Sequence, residues 1–146
     1  MIVLLDTTVF SADTLCAKAA WKALALAAPG WGIRVAVTEV VVAEAVANYQ
    51  RRIETLRSEL KVWVEKKNAE DHGLIRAFEA AQIVLSAESA EYAGHLNENI
   101  KASSVEILPV AQIPHMELVA RATARRRPCD DHGNGYRDTL NLVDRT

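Results

Sequence analysis

Three short apolar runs, each set apart by long Ala- and Leu-rich stretches, constrain this chain more than any other feature: MIVLLD at 1–6, IRVAV at 33–37 and VEILPV at 105–110. The first is rich in β-branched residues, lacks polar alternation and ends on an acid, the pattern of a strand buried on both faces of a parallel sheet. Between the first two, DTLCAKAAWKALALAA at 13–28 is made of helix-favouring residues, and Pro29-Gly30 is expected to stop it. Thr38 is placed to cap a helix running from Glu39 to about Lys67, with Val41 where a capping box would carry Glu. Gly73 punctuates, and 74–101 reads as one or two amphipathic helices. Pro114 suits the first turn of a further helix reaching about Arg127, where Pro128 ends it; a loop with two glycines leads to a last helix near Tyr136. Strands alternating with helices imply βαβ units, hence an α/β fold with a mainly parallel sheet, and the charged helical middle at 50–100 reads as an arm beside it.

A chain of 146 residues, half of them hydrophobic, is expected to form one domain over 1–146. Aromatics are only 5%, so Ala, Val, Leu and Ile must fill the core, with Trp21, Trp31 and Trp63 expected to pack. The apolar start is too short for a secretion signal and has no basic flank, and no segment approaches the ~20 apolar residues of a membrane span. Cys16 and Cys129 fit no metal or redox spacing, so a reduced, cytoplasmic setting is expected. His72, His95, His115 and His132 are scattered and read as surface or loop residues rather than ligands. A net charge of −2 recommends no polyanionic partner, yet Arg121, Arg125, Arg126 and Arg127 cluster before the tail, and Arg51, Arg52 and Arg57 lie along a helix. Such clusters are either solvated helix faces or basic strips for a phosphate backbone.

Ligands of open α/β sheets bind beyond the carboxyl ends of the strands. Asp6 is placed there, although an Asp before two threonines also suits a cap for the next segment. Glu44 lies in TEVVVAEAVANY with Val40, Val41, Ala47 and Asn48 as its helical neighbours. An acid among small apolar residues faces a core or a lined cleft and needs a partner. Glu39 points elsewhere and suits the first-turn position that the helix dipole favours. Asp138 begins the final helix, where acids are common for capping alone; Gly133, Gly135 and Arg137 beside it would let backbone and a guanidinium approach a phosphate. If the three acids converge they form an all-oxygen site for a hard divalent cation, Mg²⁺ or Mn²⁺, of the kind that supports phosphodiester hydrolysis. Two other readings stand beside it. Asp6 in LLDTT would be a phosphatase-like nucleophile, although Thr8 occupies the position where a second acid is expected; or the domain binds RNA or protein without catalysis.

IVLLDTTVF, VTEVVVAEAVANY and RRRPCDDHGNGYRDTLN together resemble the PIN-like nuclease family, in particular a bacterial branch with a Gly-Tyr-Arg-Asp motif. The resemblance implies a three-layer α/β/α fold and metal-dependent cleavage of RNA, often by toxins of toxin–antitoxin pairs, with an antitoxin or a second copy as partner. It makes Asp6, Glu44 and Asp138 the metal-binding and catalytic acids, and Thr7 or Thr8 and Asn48 lesser neighbours. Arg137 becomes a phosphate contact rather than a ligand. On the nuclease reading the arginine-rich segments 121–127, with Arg125, Arg126 and Arg127, and 51–57 are expected to hold the RNA, with Asn48 and Thr7 beside it. The sequence departs from the pattern at Thr38, where Pro is usual, and at Cys129, where Phe is usual. Members of the family also continue into a further strand bearing another Asp or Asn, so a domain ending at Thr146 is expected to lack that strand, and Asp130, Asp131 and Asp144 do not replace its acid.

Overall fold

The computed structural model describes residues 1–66, 72–110 and 114–124. Strand β1 (Ile2–Leu4) is followed by helices α1 (Thr7–Ala12) and α2 (Ala19–Gly30), strand β2 (Arg34–Thr38), helices α3 (Glu39–Lys66) and α4 (His72–Ala102), strand β3 (Glu106–Leu108) and helix α5 (His115–Thr123). The strands form a parallel sheet in the order β1-β2-β3, with Val3 opposite Val35 and Val37 opposite Ile107. In β2, Val35, Ala36, Val37 and Thr38 are all buried, and consecutive side chains of a strand point to opposite faces. The central strand is therefore covered on both sides, as a run without polar alternation requires. This is the α/β fold with a parallel sheet that the spacing of the apolar runs implies.

The long middle is a helical hairpin. The rings of Tyr49 and Tyr92 stack at 3.8 Å, and farther out the Arg57 Nε–H donates to Gln82 at 2.7 Å, so α3 and α4 run antiparallel. At 1.5 Å per residue, the 28 residues of α3 extend ~42 Å and outrun the sheet. Buried positions stop at Ile53 on α3 and begin at Tyr92 on α4. The base of the hairpin joins the core with Phe10, Trp21, Leu96, Ile100 and Val105, while the outer half projects. That division matches the rise in charge after Asn48. Glycine at 73 does not interrupt the second arm, which is one helix of 31 residues.

Several local expectations are corrected. Helix α2 starts at Ala19, not residue 13, because the Asp13 carboxylate turns back to accept the Ala17 and Lys18 N–H groups at 3.1 and 2.7 Å. That ring of hydrogen bonds competes with the helix, as Asp side chains do. Pro29-Gly30 is not the stop, since both residues lie in the last turn of α2. The stop is Gly32, at φ +65, with Ile33 N–H donating to Ala28 O and Gly32 N–H to Pro29 O. This pairing closes a helix end through a left-handed residue, which glycine adopts without strain. Helix α5 begins beyond Pro114, as its missing N–H favours, but ends at Thr123 rather than near Arg127. Of the tryptophans, Trp21 packs and donates to Ser103 at 2.6 Å, whereas Trp31 and Trp63 are exposed. The expected cap is present: Thr38 Oγ accepts from the Val41 N–H at 3.3 Å.

The segment between α1 and α2 is tied to α4. Tyr92 donates its hydroxyl to Thr14 O and Asn99 its amide to Leu15 O, each at 2.8 Å, above the buried Cys16. Burial, helped by the charge of Asp13, pushes the Cys16 thiol up to about 12, and burial also raises the Tyr92 phenol to about 12. Both groups hold their protons more tightly folded than unfolded. Their contribution is thus complete below the ordinary values of 9.0 and 10.0 and is lost as pH rises towards 12. Urea midpoints should hold steady from pH 7 to 8 and fall steeply above pH 9 in wild type. In Cys16→Ala with Tyr92→Phe the alkaline fall should flatten, and an equally steep fall in that variant would discard this assignment.

Candidate metal centre

The sheet brings Asp6 and Glu44 together at its carboxyl end. Leu5 N–H donates to Ala36 O at 2.9 Å, which continues the β1–β2 pairing to the residue before Asp6. At that point the chain turns into α1, and Asp6 is its N-cap, with Oδ1 accepting from the Thr7 N–H at 2.7 Å. The capping role and the place at the strand end, alternatives in the sequence, thus belong to the same residue. Glu44 comes from the second turn of α3, and its Oε2 accepts from the Thr7 hydroxyl at 2.8 Å. The same hydroxyl lies 3.4 Å from Asp6 Oδ1. A hydroxyl has one proton, and the shorter distance assigns it to Glu44; the contact with Asp6 is a close approach. Thr8 Oγ1, at 3.5 Å from Asp6 Oδ2, is at the outer limit of a bond.

Two carboxylates therefore share one threonine. Glu44 is half-buried and Asp6 exposed, which leaves the pair open on one side. Juxtaposed negative charge of this kind attracts a cation, and with carboxylate and hydroxyl oxygens the matching ion is a hard one. No cluster of three or more His, Cys, Asp or Glu residues is present among the described residues. Asp138, Arg137 and Arg125, Arg126 and Arg127 lie outside them.

The remaining expected residues have definite places. Asn48 is one turn beyond Glu44, and its Oδ1 accepts from the Arg51 guanidinium. Glu39 is in the first turn of α3, and its carboxylate accepts from the Val110 N–H at 3.1 Å, which fastens the chain after β3. The Arg51, Arg52 and Arg57 series does not act as one strip: Arg57 pairs with Glu54 at 3.1 Å and with Gln82. His72, His95 and His115 are exposed, as expected of surface residues.

The sequence model of the PIN domain family matches residues 3–144, nearly the whole chain. This chain belongs to the PIN domain family. Neither the curated proteins nor the solved structures contain a match. PIN domains are commonly nucleases. Sequence reasoning missed the bridging part of Thr7. The signal was its position directly after an acid at a strand end, where a helix-starting hydroxyl faces the same space as the acid. No helix among the described residues is long and apolar enough to cross a membrane.

Proposed function

We propose that this PIN domain is an endoribonuclease that hydrolyses RNA phosphodiester bonds with Mg²⁺ or Mn²⁺. The observation that supports it is the Thr7 hydroxyl touching Asp6 and Glu44 at the carboxyl end of a parallel sheet. Asp6, Glu44 and, from the last segment, Asp138 are the acids that would hold the ion. The ion would supply an activated water and neutralise charge on the phosphate oxygens. Glu44 is held in one orientation by Thr7, and Asp6 by the α1 backbone, so both carboxylates are positioned before any substrate arrives. Arg137 beside Asp138 would contact the phosphate, with Arg125, Arg126 and Arg127 along the RNA. An antitoxin or a second copy is the partner proposed for the hairpin, whose outer half exposes Trp63, Ile83 and Val84.

The test is calorimetric titration of Mn²⁺ into wild type, Asp6→Asn and Asp138→Asn, with an RNA cleavage assay alongside. Micromolar-range binding weakened in both variants, with cleavage lost in both, is the expected result. Cleavage that survives both substitutions would remove the reading. RNA binding without turnover, indifferent to Mn²⁺, would replace it with a non-catalytic RNA-binding module.

A further inference from the structure

A cleft of ~160 Å³ opens between α1, α3 and α4, with Ser11 and Asn48 in its lining one helical turn on from Thr7 and Glu44. Its walls include Phe10, Ser11 and Thr14 from α1 and the turn after it, Asn48, Tyr49 and Arg52 from α3, and Tyr92 from α4. Glu44, Asn48 and Arg52 follow one another at intervals of four residues, so they lie along one side of α3. Thr7 and Ser11 have the same interval on α1. The two helices thus lead from the shared hydroxyl at Thr7–Glu44 into the cleft. We infer that this cleft seats one nucleotide of the RNA, adjacent to the nucleotide whose phosphate is cut; the inference rests on the nuclease reading.

Its chemistry fits a nucleotide better than an apolar ligand. Tyr49, half-buried and backed by the stacked ring of Tyr92, is the accessible aromatic of the cleft, with Phe10 and Tyr92 buried beneath it, and bases stack on such a ring whatever their sequence. The volume falls below the ~300–1,000 Å³ of pockets that enclose a whole small molecule, which suits one flat ring with its sugar and phosphate outside. Hydroxyls of Ser11 and Thr14 and the amide of Asn48 provide polar groups for a base edge. The Asn48 carbonyl is occupied by Arg51, which leaves its N–H₂ to donate to a ligand's acceptor. Arg52 supplies the charge. It is exposed and makes no hydrogen bond or ion pair among the described residues, unlike Arg34, Arg51 and Arg57. Two turns from Glu44, it stands ~12 Å along the helix, placed for the next phosphate rather than the one at the acids. No acid is among the described residues that line the cleft.

The experiment uses the full chain and a fluorescein-labelled twelve-nucleotide single-stranded RNA in EDTA, so that binding is read without cleavage. Arg52→Ala should weaken binding roughly tenfold and lower the slope of log K against log salt by about 1, the signature of one lost phosphate contact. Ser11→Phe, which fills the mouth with an aromatic ring, should weaken binding by a similar factor and leave the salt slope alone. Arg76→Ala removes a positive charge from the projecting arm, where Arg76 donates to His72 O, and should bind as wild type does. Equal affinities for wild type, Arg52→Ala and Ser11→Phe would overturn the inference. Cleavage in Mn²⁺, measured separately on wild type and Asp6→Asn, reports on the nuclease reading. Cleavage that depends on Asp6, with binding indifferent to Arg52, keeps the nuclease and rejects the cleft. Binding that depends on Arg52, with no cleavage by wild type, keeps the cleft as an RNA site and rejects the nuclease.

Discussion

In calorimetric titrations, Glu44→Gln is expected to weaken Mn²⁺ binding by more than about a hundredfold, and Thr7→Ala by about 10–100-fold. The first substitution removes a charge but keeps the side chain's shape and an oxygen that still accepts from Thr7. Its melting temperature should therefore stay close to that of wild type. The second removes the one hydroxyl that lies against both carboxylates, while the Thr7 N–H continues to cap onto Asp6. Glu44 then keeps its charge and loses the Thr7 bond that helps to orient it, which is why the smaller loss is expected. Thr7→Ser restores the hydroxyl and should recover most of the affinity, a rescue that a merely structural role for the methyl group would not give. RNA cleavage at saturating Mn²⁺ should follow the same order. If Glu44→Gln binds Mn²⁺ as tightly as wild type, Glu44 is not a ligand and the pair at the sheet end serves only to hold α1 against α3.

Much of this arrangement was legible because its physics is local. Runs such as IRVAV carry β-branched residues without alternation, which admits few states other than a doubly covered strand, and the structure places β2 there. The length of α3 followed from an uninterrupted stretch of helix formers, and the helix is continuous from Glu39 to Lys66, where the described residues pause. Glu44 stood out because an acid among valines and alanines needs a partner, but the sequence could not name Thr7, which is 37 residues away. The short helix α1 was hidden for a related reason. Thr7, Thr8 and Val9 are β-branched and favour helix weakly, so only the Asp6 cap and the burial of Phe10 make that turn stable. The cleft was illegible as well, since Ser11, Tyr49 and Tyr92 meet only once the hairpin has closed on α1. Its trace in the sequence was the four-residue interval from Glu44 through Asn48 to Arg52, where an arginine cluster had suggested only a general basic strip.

Truncation of Phe10 should have the largest effect on stability, with Phe10→Ala costing about 3–5 kcal/mol. Phe10 is 2% exposed, and its ring meets Trp21 at 5.8 Å between centroids with the planes tilted by 54°. That geometry adds edge-on attraction to the burial of a large side chain. A six-residue helix such as α1 is too short to persist without packing, and Phe10 is its only buried residue. The urea midpoint should fall by more than about 1 M, given slopes of about 1–3 kcal/mol per M for a domain of this size. Phe10→Leu retains most of the volume and should cost less than half as much. Because α1 carries Thr7 and is capped by Asp6, the folded fraction of Phe10→Ala should also bind Mn²⁺ more weakly at urea concentrations well below the transition. A loss under about 1 kcal/mol would show that α1 is held by its polar contacts instead. In that case Thr7→Ala, which breaks the bond to Glu44, should become the more destabilising of the two substitutions.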